Sequence, residues 1–483
     1  MWEEELRHLL KESFQGRPVF GIGERAYPRL GPGLMLEDYG IICAMCTADI
    51  EEIRTWANVL CFQELFPHMD HPRDTLGILG NAALQERGIL PPPGSRLVLY
   101  RQTRAIRRIV TKMGWLAMAN PPEIWEAWEN KASFRERAKQ MGLPTVEFIL
   151  VDVSDFTPSL CSKLMKRWGS WLIVQVPDFP RGGGRGSFLL REPADSMRIP
   201  SSFFPNEPQE SRTLMVSPWI EGLSLSMEVC VSPWGFILSP LQVQLVDLGE
   251  VLPEGGRGRF CGHQWGLGIP RSEGLEGKAR SISTSVGRAM AREGYRGIFG
   301  LDFIWDESNG ELLLLECNPR YTGAFPTLTV LELASGVPPI EAFHLLSFAP
   351  HPPRELPRSL ARPWDRGLPP SSQLILFHRG PKGQRVVKGL ASGRYSLSQK
   401  TGVPTRVGGI FPLTKCPLDR GEFLIVDGPP PPGYLLGEAD GLERVVRMVF
   451  FREVMDESRR GLAQEISEIV RWAYREMGLE QGE

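Results

Sequence analysis

Residues 300–322, GLDFIWDESNGELLLLECNPRYT, allow the chain few folds. Apolar runs at 298–305 and 311–318 flank Ser308-Asn309-Gly310. A short loop ending in glycine, which is free to take positive φ, is a common hairpin connection. Pairing Glu307 with Glu311 sets Asp302 directly opposite Glu316. Side chains alternate faces along a strand, so Glu316 and Asn318 share one face and Asp302 joins them across the ladder. Two carboxylates and an amide oxygen then converge, the hard donors that Mg²⁺ uses when phosphates fill its remaining positions. Acidic residues also decorate the solvent faces of hairpins. Here both strands are otherwise strongly apolar and read as central in a sheet, and acids buried there need a cation or another partner.

The chain has 483 residues, more than one core usually serves, so about two to four domains are expected. A hydrophobic content of 42% and a charged content of 23% describe an ordinary globular protein. The formal charge of −2, without a long basic run, argues against nucleic-acid or membrane-surface partners. The N-terminal MWEEELRHLLKESF is acidic and amphipathic, unlike a signal peptide, and no apolar run approaches the ~20 residues of a membrane span. The eight cysteines are sparse and mostly lie in apolar runs, a pattern that places a reduced chain in the cytoplasm. Cys43-x-x-Cys46 and His68-x-x-His71 have zinc-type ligands. However, residues 41–45 read as a strand, on which an offset of three points the two sulfurs to opposite faces, so structural zinc is not expected.

Asp302 with Glu316, Asn318, Pro319 and Arg320 resembles the metal-binding hairpin of the ATP-grasp superfamily. Other parts follow in the family's order. Asn130-Lys131-Ala132-Ser133-Phe134 opens a helix to about Met141, before Gly142-Leu143-Pro144, and is similar to the segment whose lysine contacts nucleotide phosphate. The apolar run 171–176 leads to Arg181-Gly182-Gly183-Gly184-Arg185-Gly186, which resembles the glycine-rich loop that closes over the β- and γ-phosphates. Residues 214–222, LMVSPWIEG, resemble the linker that holds adenine and supply Trp219, Ile220 and Glu221 as nucleotide contacts, with Glu221 a candidate for ribose or adenine. The likeness spans about residues 115–345. It departs at Gln175, where the family usually has a phosphate-binding lysine, and at Ser217 and Pro218, where an acidic residue is common. Arg181 or Arg185 is a candidate source of the missing charge, since guanidinium suits phosphate; the alternative consequence is slow or absent turnover.

The resemblance implies an α/β protein. Residues 1–114 form a parallel-sheet domain, 115–348 the nucleotide-binding and catalytic core, 349–372 a Pro/Arg-rich linker, and 373–483 a β-rich module closed by a helix at 454–477. Short apolar runs at 18–23, 40–46, 59–62 and 96–100 alternate with helical stretches, which independently indicates a parallel sheet. Gly21-x-Gly23 is too little for a dinucleotide fingerprint and reads as a tight turn. A helix is expected at 274–293, stopped by Gly294, and another at 328–335. Residues 254–270 are glycine-rich and polar, a loop over substrate in which His263 serves binding. In C-terminal sequence, strands are expected at 373–377, 421–426 and 433–437.

The implied chemistry uses ATP with Mg²⁺, or Mn²⁺ in its place. Asp302, Glu316 and Asn318 hold the metal, Lys131 and the 181–186 loop the phosphates, and Lys131 and Arg320 are the catalytic charges. A small-molecule carboxylate becomes an acyl phosphate with release of ADP, and an amine then displaces phosphate. A carboxylase or carbamoyl-type enzyme is the alternative on the same fold, and a nucleotide-binding regulator without turnover is the alternative that Gln175 suggests. A homodimer is common in the superfamily.

Overall fold

The structure, a computed structural model, describes residues 2–177, 186–198, 213–253, 258–266, 268–270, 274–360, 367–398, 402–410, 421–437 and 443–479. The first unit is a five-stranded parallel sheet with Val19–Gly23 at its centre. Tyr39–Cys43 and Asn58–Cys61 lie on one side, and Arg96–Val98 and Leu116–Ala117 on the other. The first four strands fall where apolar runs alternate with helical stretches. The fifth falls in the apolar stretch 115–119, which is not among the expected runs. Gly21 and Gly23 do not form a tight turn. They lie inside the central strand, and a Cβ on Gly21 would run into the Tyr39 hydroxyl, while one on Gly23 would lie 2.9 Å from Arg29 Nε. Both glycines therefore serve close approach of side chains to the sheet.

Two antiparallel sheets follow. The smaller has four strands, in the order Ile149–Asp152, Thr213–Pro218, Leu172–Gln175 and Ser187–Leu190. The larger has eleven strands. It begins at Glu311–Asn318 and passes through Gly297–Asp306, Gly222–Ser232, Gln242–Val246 and Phe260–Trp265. It then continues into Ser371–Phe377, Arg444–Phe450, Glu422–Val426, Gly393–Leu397 and Pro404–Gly408, with Gly235–Leu238 paired to the side of Gly222–Ser232. Pairing of Trp265 with Ser371 makes the C-terminal strands an extension of the core sheet.

The helices Leu275–Arg292 and Thr327–Ala334 form where periodicity and capping place them. Leu275, Ala279, Ile282, Val286 and Met290 of the first are buried. The C-terminal helix is shorter than expected, Gln464–Glu476; the preceding residues form a loop closed by a bridge between Met455 and Leu462. The strand expected at 433–437 shrinks to Leu435–Leu436. Among the described residues, no helix is long and apolar enough to cross a membrane.

Buried arginines tie the units together. Arg25, beyond the first strand, donates to the carbonyls of Asp427 (2.6 Å), Val445 (3.0 Å) and Arg444. Arg447 donates to Gln373 Oε1 (2.6 Å), to the Gly323 carbonyl (3.1 Å) and to Asp427, and lies over the Tyr27 ring. Gly21→Ala is expected to lower stability by about 1–3 kcal/mol through overpacking against Tyr39, read as a lower denaturant midpoint at unchanged slope.

Candidate active site

The hairpin pairs Gly297–Asp306 with Glu311–Asn318. Asp306, not Glu307, faces Glu311, so the turn is one residue out from the sequence expectation. An irregularity between Asp302 and Phe303 restores the offset, and Asp302 faces Glu316 as expected. A bulge re-aims side chains, and bulges are common next to sites. Nor is Glu311–Asn318 a central strand: it is the edge of the larger sheet. Its burial comes from the helix Lys131–Gln140 packed on it and from Leu314 N, which donates to the Pro144 carbonyl at 2.9 Å.

Asp302 accepts from Asn318 Nδ2 (2.9 Å) and from Gln244 Nε2 (2.7 Å). Asn318 Oδ1 accepts from Arg320 Nη2 at 2.8 Å. Arg320 also donates to Glu129 (2.8 Å) and to the Tyr100 hydroxyl (2.6 Å), and its guanidinium lies over the Tyr100 ring. Asn130 caps the next helix by accepting from Ser133 N at 3.0 Å, and this aims Lys131 at Glu316, with which it forms an ion pair. Sequence reasoning brings these five residues together, and they are together here. Two carboxylates and an amide oxygen on one ladder are a donor set that fits Mg²⁺.

Two cavities share this cluster as a wall. The first, about 630 Å³, lies between the two antiparallel sheets. Lys131, Arg135, Gln175, Gly186, Trp219 and Ile220 are among its lining, and Val146, Ile173, Ile304 and Leu315 supply apolar surface. The second, about 580 Å³, is walled by the N-terminal unit, the core and the C-terminal strands. Arginines 25, 29, 73, 320, 444 and 447 line it, with Glu228 and His263. Asp302, Glu316, Asn318 and Arg320 line both cavities.

Gln175 donates to Ser187 Oγ (3.0 Å) and lies beside Arg135, whose Nη2 is 3.4 Å from its Oε1. Arg135 is the cavity cation that sequence reasoning missed. It is 3% exposed, its Nη1 is buried without a hydrogen-bond partner, and it lines the first cavity. The available signal was its position four residues after Lys131, on the same helix face. Burial holds its pKa down to about 10. Arg181, Gly182, Gly183, Gly184 and Arg185 lie outside the described residues. Glu221 is not part of either cavity lining; its carboxylate pairs with Arg460 at the surface. His263 Nδ1 accepts from Gln373 Nε2 at 2.9 Å, and burial, reinforced by Arg447, pushes its pKa down to about 3. It is therefore neutral, which suits binding and not proton transfer.

Burial raises Asp302 to about 6 despite the opposing charge of Lys131, and lowers Lys131 to about 8 although Asp302 acts the other way. Burial also raises Glu228 to about 8, and its Oε2 has no hydrogen-bond partner. Burial alone would lower Arg320, but Tyr100 and Glu129 outweigh it and hold the guanidinium charged. For Asp302 the folded chain binds more protons than the unfolded one between 3.8 and about 6, so its contribution to stability falls as pH rises through that window. For Lys131 the folded chain binds fewer protons between about 8 and 10.5, so its contribution rises with pH there.

No protein-family model matches the chain, and no curated protein matches its sequence. Solved structures do match. The biotin carboxylase domain of 2-oxoglutarate carboxylase from Hydrogenobacter thermophilus, in complex with MgADP, ADP and bicarbonate, aligns with TM-score 0.58 and 16% identity, covering 90% of this chain and 86% of that one. Biotin carboxylase from Campylobacter jejuni aligns with TM-score 0.57 and 12% identity, over 90% of this chain and 87% of that one. N5-carboxyaminoimidazole synthase from Aspergillus clavatus, in complex with ADP and a ribonucleotide, aligns with TM-score 0.51 and 13% identity, over 94% and 98%.

Arg135→Met is expected to weaken nucleotide binding about tenfold to a hundredfold, the worth of a charge-assisted hydrogen bond. Gln175→Lys in that background restores part of the loss, as calorimetric titration would read. Magnesium-dependent nucleotide affinity should also fall as pH drops through about 6, because Asp302 must lose its proton to ligate. Titrations between about pH 5 and pH 8 check this, and Asp302→Asn should remove the magnesium dependence.

Proposed function

We propose that this chain, which has the ATP-grasp fold, is an ATP-dependent, ADP-forming enzyme that activates a small-molecule carboxylate and couples it to an amine. One observation carries the reading: a hairpin bearing Asp302, Glu316, Asn318 and Arg320 is the common wall of two cavities, one with an apolar end and one lined by arginines. The first suits a nucleotide. Its base fits against Val146, Ile173, Ile304 and Leu315, and its phosphates reach Lys131, Arg135 and Gly186. Asp302, Glu316 and Asn318 would hold Mg²⁺, which when bound neutralises phosphate charge. The second cavity suits an anion. Arg29 donates to the carbonyls of Ile22 (2.9 Å) and Pro28 (3.1 Å) and has no carboxylate salt bridge among the described residues.

Arg320 sits at the junction and orients the carboxylate toward the γ-phosphorus. Attack there breaks the bond to the β–γ bridging oxygen and yields an acyl phosphate and ADP. The amine then attacks the acyl carbon, and inorganic phosphate leaves. Phosphoryl transfer asks for positioning and charge stabilisation, which fixed guanidinium and ammonium groups supply. No side-chain nucleophile is required.

Bicarbonate in place of an organic acid is the second reading, motivated by the bicarbonate bound to the Hydrogenobacter domain. A cavity of about 580 Å³ favours a larger acid. Arg135 weighs against a regulator without turnover, since it brings positive charge to the position where Gln175 lacks it. ADP release, measured over a panel of small carboxylates with and without amines and with and without bicarbonate, tests the proposal. ADP formation that needs an organic acid supports it, and ADP formation that needs only bicarbonate transfers the assignment to carboxylation. Tight magnesium-dependent ATP binding with no ADP from any acid would sink the enzymatic reading.

A further inference from the structure

A second cluster of metal-type donors lies in the N-terminal unit, outside both cavities. The strand Tyr39–Cys43 ends at Cys43, earlier than the sequence suggests. The backbone then turns: Ala44 N and Met45 N both donate to the Glu24 carbonyl, at 3.0 and 2.9 Å. This turn removes the objection that an offset of three separates the sulfurs of Cys43 and Cys46, because Cys46 is no longer on the strand. It swings back over the neighbouring strand Asn58–Cys61, where its N–H donates to Gln63 Oε1 at 2.9 Å and Gln63 N donates to the Ala44 carbonyl at 3.2 Å. Cys46 Sγ and Cys61 Sγ then lie 3.2 Å apart. These sulfurs and a carboxylate oxygen of Glu64 all fall within 4.8 Å of one another. His68 and His71 are not among the donors; His71 faces Tyr434 at 3.5 Å.

We infer that Cys46, Cys61 and Glu64 bind a thiophilic divalent cation of the Zn²⁺ type. Zinc–sulfur bonds of about 2.3 Å in a tetrahedron set ligand atoms about 3.8 Å apart. The donors here reach that arrangement by shifts of an ångström or less. Charge is also in balance. A divalent ion together with Arg54, which pairs with Glu64, neutralises two thiolates and that carboxylate. Cys43 lies opposite Cys61 in the parallel ladder, and its thiol donates to the Met45 carbonyl at 3.8 Å, inside the same turn. Cys61 is buried, Cys46 half-buried and Glu64 exposed, so an ion enters from the Glu64 side, where water fills the fourth position. The ion staples the 44–46 turn to the short helix Phe62–Leu65. That turn in turn holds the backbone of Glu24, which lines the second cavity.

The test is a cobalt titration of the full-length, reduced, metal-stripped chain. The expected result is a near-ultraviolet sulfur-to-cobalt charge-transfer band that saturates at one ion per chain. Zn²⁺ displaces it and Mg²⁺ does not. Cys46→Ser and Cys61→Ser abolish the band, Glu64→Gln weakens affinity on the order of tenfold, and Cys161→Ser leaves it intact. No band at saturating cobalt, or a band that survives both Cys46→Ser and Cys61→Ser, overturns the inference. Alkylation of the unmutated chain guards against misfolded variants: Zn²⁺ slows modification of Cys46 and Cys61 as read by peptide mass, and equal labelling with and without Zn²⁺ overturns the inference as well.

Discussion

The ion pair between Lys131 and Glu316 is the contact on which the site depends. Taking a carboxylate and an ammonium out of water costs several kcal/mol per ion unless each finds a partner. Here the partners come from a helix N-terminus and a sheet edge far apart in sequence. Asp302 sits one ladder step away, and Arg320 closes the group through Asn318. Remove the cations, and Asp302, Glu316 and Glu228 become carboxylates crowded together with little solvent. Burial raises both Asp302 and Glu228, and the charge of Asp302 adds to the rise of Glu228.

Around this cluster, the three units divide the work. The small antiparallel sheet and the large one face each other across the first cavity. The second cavity needs all three units. Arg25 and Arg29 come from the loop after the first strand, Glu228 and His263 from the core, and Arg444 and Arg447 from a C-terminal strand. Buried hydrogen bonds from Arg25 and Arg447 into carbonyls across the unit boundaries hold the arginine-lined wall in one geometry. The C-terminal strands, continuous with the core sheet through Trp265 and Ser371, are thus part of the cavity and not an appendage.

Legibility varied with the range of the interactions involved. The parallel sheet, the helix Leu275–Arg292 and the acids of the hairpin were readable, because periodicity, caps and turn residues act within a few positions. The pairing of Asp302 with Glu316 came out right although the turn was placed one residue out, since the bulge after Asp302 compensates. Nothing local announces that bulge. Burial of the edge strand was inferred from its apolarity, whereas its cause is the covering helix. Gly21 and Gly23 looked like turn residues because the tyrosine and arginine that crowd them are not adjacent in sequence. Glu221 looked like a nucleotide contact, but the chain turns its carboxylate outward to Arg460.

Local chemistry was therefore written into the linear order: two carboxylates and an amide at strand spacing, a lysine opening a helix, and a turn to bring strands together. Those features act over a few residues and survive in any fold that keeps the hairpin. Only folding decided that Arg135 stands beside Gln175, that six arginines from three units line one chamber, and that Cys46 leaves its strand to meet Cys61. Each of these depends on contacts between segments separated by tens to hundreds of residues, and the side chains involved carry no mark of their partners until packing brings the segments together.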